Sequence, residues 1–225
     1  MQHEVERFKL RSRWLHWVIA ASALTLGLTG LFLYVPQFGP VAQDSVTRVI
    51  HRIAAVIFIG APALYFLVAP AASLSFLKKV FTWGKEDLEW TKAAPDYYFG
   101  GEESKMPPQP EMNTGQKLFA LVSVACFIGF LITGIIMWAF KGQVSSGAFN
   151  ASVFVHDVCF ILGGAMLLVH VFLGAIHPRM TESLRSMITG KVSAEYAKSH
   201  HGKWYEETTG AGEVAEESPS GPAQG

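Results

Sequence analysis

Four stretches of this chain are too long and too apolar to be left in water. "LHWVIAASALTLGLTGLFLYV" (15–35), "IAAVIFIGAPALYFLVAPAASLSFL" (53–77) and "LFALVSVACFIGFLITGIIMWAF" (118–140) contain no Asp, Glu, Lys or Arg. "ASVFVHDVCFILGGAMLLVHVFLGAI" (151–176) carries a single acid, Asp157. A helix rises 1.5 Å per residue, so about 20 apolar residues cross a hydrocarbon core roughly 30 Å thick. In lipid the backbone must satisfy its own hydrogen bonds, which makes such segments helical. The expectation is an all-α integral membrane four-helix bundle, with Pro62 and Pro70 kinking the second span. The first run follows Arg7, Lys9, Arg11 and Arg13, as a signal peptide would, but it is longer than a signal core and no small-residue cleavage site closes it. It is read as a retained helix.

The basic residues orient the bundle. Residues 1–14 hold four Lys and Arg, the 78–117 loop six, and the segment from 177 onward five. The 36–52 loop holds two and the 141–150 loop one. Positive charge stays in the cytoplasm, so both termini are expected there (N-in, C-in), in the bacterial inner membrane. Residues 1–205 are expected to form one transmembrane domain. Residues 206–225, acidic and rich in Gly, Ser and Pro, are expected to be a disordered cytoplasmic tail. In the long loop, "FLKKVFTWGKEDLEW" (76–90) reads as an interfacial helix anchored by Trp83 and Trp90. The Pro and Gly of "APDYYFGGEESKMPPQPEMNTG" (94–115) argue against a regular domain.

Composition removes other classes. The formal net charge is zero, which gives no electrostatic footprint for nucleic acid. Cys126 and Cys159 lie in apolar runs, with no CxxC metal pair and no CxxCH site for covalent haem.

The histidines carry the chemistry. On the fourth span His156 and His170 are fourteen residues apart, which brings them within about 40° of one face and separates them by about 21 Å along the axis. With both termini inside, His156 lies at the outer level and His170 at the inner. His16 opens the first span at the inner level, and His51 precedes the second at the outer. Two imidazoles on different helices are therefore available at each level: His16 with His170, and His51 with His156. Imidazole is a good iron ligand, and bundles build cofactor sites from facing helices. The expected cofactors are two haems of b type, held non-covalently. Haem-free readings, with the histidines bonding across helices or relaying protons in a transporter or scaffold, belong to the same residues.

His177, His200 and His201 are expected at the solvated or lipid-facing inner end, and His3 in a frayed terminus. Asp157 is read as capping the outer end of its helix ahead of orienting His156. Arg13, Arg48, Arg52 and Arg179 lie at the right ends to pair with haem propionates or with lipid phosphate. Gly27, Gly30, Gly163 and Gly164 allow close approach of helices or of a flat macrocycle.

The chain resembles the cytochrome b (gamma) subunits of membrane-bound formate dehydrogenases. The resemblance lies in "RSRWLHW" around His16, "NTGQK" (113–117), "LITGIIMW" (131–138), the paired histidines of the fourth span, and "ITGKVSAEYAKSHHGKWYEE" (188–207). It runs from about residue 7 to residue 207. The stretch "VIHRIAAV" around His51 and the loop at 93–112 depart from it. The resemblance implies a diheme cytochrome whose iron ligands are His16, His51, His156 and His170. It implies electron transfer between an outer-facing iron–sulfur (beta) subunit, joined to a catalytic (alpha) subunit, and a quinone, menaquinone or ubiquinone. It also implies a quinone site at Asn113, Gly115 and Gln116; by itself that segment reads as a helix N-cap formed by Asn113 or Thr114. The chain alone is not expected to oxidise formate. A diheme subunit serving a hydrogenase or another molybdenum or tungsten enzyme fits the same residues.

Overall fold

The computed structural model describes residues 3–40, 45–100 and 106–210. Four long helices dominate it: α1 (Leu10–Tyr34), α2 (Ser45–Val68), α5 (Thr114–Ala139) and α6 (Ser146–Val171). Each is long and apolar enough to cross a membrane. Between α2 and α5 lie two shorter helices, α3 (Pro70–Phe81) and α4 (Lys85–Tyr98). After α6 come α7 (Thr181–Thr189), strand β2 (Lys191–Ser193), α8 (Ala194–His200) and α9 (Gly202–Thr209). Strand β1 (Glu4–Glu6) pairs antiparallel with β2.

The second span is shifted from the 53–77 run: it begins earlier, at Ser45, so that His51 lies within it, and it ends earlier, at Val68, because of Pro70. Pro62 is tolerated inside α2, but Ala69 leaves the helical region (φ −143°, ψ 55°) and Pro70 starts α3. A proline at the first helical turn gives up an amide that has no partner there anyway, so it opens a helix more readily than it continues one. The interfacial helix expected over 76–90 is thus divided at Gly84 between α3 and α4, and α4 runs on to Tyr98, into the 94–115 stretch whose Pro and Gly argued against a regular domain.

Other boundaries have local causes. Asn113 caps α5: its side chain accepts from the Gln116 amide, while Gln116 Oε1 accepts from the Asn113 amide at 3.0 Å. Ser145 caps α6 by accepting from Ala148 N–H. Asp157 therefore lies well inside α6 rather than at its start, and the expected cap belongs to Ser145. At the other end α6 runs into one wide turn, Phe172–Ile176.

The four spans form two hairpins. α1 lies along α2, and α5 along α6, whereas the hairpins meet each other sparsely. Gly129 permits the close approach within the second hairpin, since a Cβ there would sit 2.6 Å from Cys159 Sγ. Leu24, Leu67, Phe154 and Leu168 stand exposed along the spans, as the lipid-facing side of a membrane bundle requires.

At the end where α1 begins and α6 finishes, the remaining elements build a cap. Its small core is Val5, Val192, Ala197 and Trp204. Gly190 makes the junction. It closes α7 in the left-handed conformation (φ 90°), and its carbonyl accepts from Arg7 N–H and Phe8 N–H at 2.7 and 3.1 Å. A Cβ at Gly190 would meet Phe8 O at 2.9 Å, so both backbone conformation and space require glycine. His3 O accepts from Ala194 N–H at 2.9 Å. The terminal strand is therefore tied down where a frayed end was expected. Of the acidic tail, residues 206–209 belong to α9; residues 211–225 lie outside the described residues.

Candidate haem-binding seam and its polar mouth

The seam between the hairpins holds the histidines that depth had paired. At the cap end the ring of His16 on α1 faces that of His170 on α6, with centroids 6.3 Å apart. At the hairpin end His51 on α2 faces His156 on α6, with centroids 6.5 Å apart. All four are half-buried. Each pair takes one ring from each hairpin, so anything bound between the rings also ties the hairpins together.

These separations suit a metal ion between two imidazoles. A metal–nitrogen bond of about 2.0 Å, plus roughly 1.1 Å from ring nitrogen to ring centroid, doubled, gives about 6.2 Å. The hydrogen bonds agree at the hairpin end. Thr29 Oγ1 lies 2.8 Å from His51 Nδ1, and Thr133 Oγ1 lies 2.8 Å from His156 Nδ1. Both Nδ1 atoms are thus engaged, leaving Nε2 to bind. At the cap end His16 Nδ1 is buried without a hydrogen-bond partner among the described residues, and His170 stacks on Phe119 with centroids 4.2 Å apart and planes 9° from parallel. Clearance is present too. A Cβ at Gly30 would meet Phe160 at 3.4 Å and His51 at 3.7 Å, and one at Gly27 or Gly164 would meet open space. The residues present fit a planar group held through its metal by two imidazoles at each level.

Thr29 and Thr133 were not singled out from sequence. A signal existed: Thr29-Gly30 and Thr133-Gly134 each precede a hairpin turn, and each Thr meets a histidine 22 or 23 residues later on the next helix. The two hairpins share this device despite lacking a recognisable sequence repeat.

The arginines divide. Arg13 binds Ile188 O with Nη1, while its Nε is buried without a partner among the described residues. Arg179 donates to Tyr97 O at 2.7 Å and lies over the Tyr97 ring. Arg52 lies over Trp138, 5.6 Å from the ring centroid. Asp157 makes no hydrogen bond to His156 among the described residues.

At the cap end the mouth of α5 is polar. Asn113 shares a small cavity with Trp90, Tyr97, Tyr98, Met106 and His200. The side-chain oxygens of Asn113 and Gln116 are occupied by the cap, which leaves their amide nitrogens to donate. Gly115 is covered by Trp90, whose ring would lie 2.8 Å from an added Cβ. Phe119 follows Asn113 by six residues, about 9 Å along the helix, so this mouth adjoins the His170 level. Burial, reinforced by neighbouring Tyr196, pushes the Tyr98 phenol up to about 12.

The mouth is pinned by Asp87, near the start of α4. Its carboxylate accepts from Lys117 Nζ at 2.9 Å, Thr114 Oγ1 at 2.8 Å and Gly84 N–H at 2.8 Å. Burial alone would raise this carboxyl, but these donors outweigh it and hold it below its ordinary value.

The remaining histidines serve the cap. Tyr97 OH lies 2.8 Å from His200 Nε2, and His177 Nδ1 accepts from Arg179 N–H. His201, expected to be solvated, is buried (4% exposed) between Pro110 O, 2.9 Å from its Nδ1, and the Arg7 guanidinium. Burial, with the positive charge of Arg7 adding to it, pulls it down to about 3, so it is neutral in the fold.

A family model described as prokaryotic cytochrome b561 matches residues 7–190. The cytochrome b556(Fdn) subunit of the nitrate-inducible formate dehydrogenase of Escherichia coli (strain K12) is 26% identical over 96% of this chain and 97% of its own. The cytochrome b556 subunit of Haemophilus influenzae formate dehydrogenase is 23% identical, covering 89% and 82%. The Escherichia coli cytochrome b556(fdo) subunit is 22% identical, covering 90% and 92%.

Proposed function

This chain belongs to the prokaryotic cytochrome b561 family of b-type haem membrane proteins, and from that premise we propose that it is the diheme, quinone-reactive electron-transfer subunit of a formate dehydrogenase. The observation that carries this reading is the pair of imidazole clamps, 6.3 and 6.5 Å between centroids, at opposite ends of one seam. The full-length likeness to formate dehydrogenase b556 subunits supports the choice of enzyme.

In this reading the cap faces the cytoplasm and the hairpin turns face outward, as the loop charges favour. His51 and His156 hold the outer haem, and His16 and His170 the inner. When bound, these groups supply reversible one-electron chemistry at two depths. Two imidazoles on each iron would leave it no open position for oxygen or substrate, which would suit electron transfer. The hairpin end receives electrons from an outer iron–sulfur subunit joined to the catalytic subunit. At the cap end the amide nitrogens of Asn113 and Gln116 bind a quinone carbonyl, Trp90 walls the site, and the neighbouring mouth opens to cytoplasmic protons.

The test is a dithionite-reduced minus oxidised spectrum of protein purified from its native membrane, with haem counted per chain. Two b-type haems per chain are expected; protein without haem defeats the reading. Copurification identifies the partner, and a hydrogenase or another molybdenum or tungsten enzyme in place of formate dehydrogenase would redirect it.

A further inference from the structure

The two clamps are not equivalent in their hydrogen bonds. At the hairpin end each histidine meets a threonine, and the direction of that bond can be worked out. Thr29 Oγ1 donates to Thr25 O at 2.7 Å, and Thr133 Oγ1 donates to Gly129 O at 2.6 Å. A hydroxyl has one hydrogen. With it committed to the carbonyl, each oxygen meets its imidazole as an acceptor, and Nδ1–H donates. That sets one tautomer for both rings, with the Nε2 lone pair directed to the opposite side of the ring. The threonines are themselves buried, which removes competing water. At the cap end no such bond is present among the described residues: His16 Nδ1 is buried without a partner there, and His170 packs face to face on Phe119.

We propose that Thr29 and Thr133 are positioning residues of the outer haem site, which lock His51 and His156 in the Nδ1–H tautomer and lower that haem's reduction potential below that of the inner one. The inference rests on the haem assignment above and adds to it the residues that tune one site against the other. An acceptor on Nδ1–H increases the electron density the imidazole offers to iron. A more donating ligand favours the ferric state, so two such bonds pull the outer potential down. The inner ligands lack this pull. The difference makes the inward electron transfer downhill, in the direction a quinone at the cap end requires.

The experiment is potentiometric titration of the purified cytochrome and of its Thr29→Val, Thr133→Val and doubly substituted forms, with Thr→Ser forms as controls. A His16→Ala background, in which one haem remains, assigns the outer signal. Valine keeps the shape of threonine and removes the acceptor; serine restores it. The outer midpoint is expected to rise in the valine forms, most in the double variant, and to return in the serine forms. The inner midpoint is expected to stay in place. A tenfold change in the reduction equilibrium reads as about 59 mV for one electron. Loss of the outer haem in the valine forms, with retention in the serine forms, supports the positioning role equally. An unmoved outer midpoint with haem retained overturns the proposal. So does an equal shift in both haems, or serine behaving as valine does. Unsubstituted protein that carries no haem defeats the function itself, an outcome distinct from these.

Discussion

Asn113 and Gln116 close on each other: the Asn113 side chain accepts from the Gln116 amide at 2.9 Å, and Gln116 Oε1 accepts from the Asn113 amide at 3.0 Å. The same two side chains therefore start α5 and, in the proposed function, offer nitrogen donors to quinone. Substitutions that treat these tasks differently separate them. Asn113→Ser keeps a good cap but removes the amide nitrogen, so stability should hold while quinone reduction falls at least tenfold. Asn113→Ala should lose both, with the cap worth about 1 kcal/mol. Steady-state quinone reduction and thermal melting of the same preparations check this.

His51→Ala and His16→Ala should each halve the haem content from two to one per chain, and each should leave a different spectrum behind. A variant of either kind that keeps both haems would break the pairing of His51 with His156 and of His16 with His170. Pyridine haemochrome quantitation, with low-temperature spectra, decides it.

Asp87 and Lys117 form a largely buried ion pair at 2.9 Å, with side-chain exposures of 8% and 12%. Removing one partner leaves an uncompensated charge. Lys117→Met should destabilise the mouth of α5 by about 3 kcal/mol, whereas replacing both residues with apolar ones should restore much of the loss. Denaturant titration of the cap, followed by tryptophan fluorescence, measures the difference.

The cap should loosen in acid. His201 is held at about 3 in the fold, below the ordinary histidine value of about 6.5. As pH falls below about 6.5 the unfolded chain takes up this proton before the folded chain does, so stability declines toward pH 3. Asp87, also depressed, adds its own loss as pH falls through its folded value. Both effects are absent above neutrality. His201→Asn should flatten the upper part of the profile, read as cap melting temperature against pH, because an amide takes up no proton in this pH range.

Gly190→Ala should cost about 1–2 kcal/mol from the left-handed backbone alone, and more from contact with Phe8 O. The loss should appear as release of the β1–β2 pairing. Hydrogen exchange at Arg7 and Phe8, whose amides both bind Gly190 O, reports it.

Much of this was legible because a bilayer reduces structure to one dimension. Run length set the spans, and rise per residue set the depths of His156 and His170. Legibility failed where a residue's role depends on what arrives from elsewhere in the chain. His201 was read as solvated or lipid-facing because it lies beyond the inner end of the last span; Arg7 and Pro110 O, each about a hundred residues or more away in sequence, are what bury it. The break at Pro70 was partly visible, since proline marks a discontinuity without saying whether the helix bends or restarts.

By itself, then, the order of residues determined the four spans, their expected orientation and the two levels of imidazole, because hydropathy and helical rise are properties of a segment alone. The tertiary structure decided the rotation of each helix, and with it which hydroxyl meets which ring. Thr29 and Thr133 reach His51 and His156 only because each hairpin is packed at one particular angle. That angle is set by contacts such as Gly129 against Cys159, which no single segment contains.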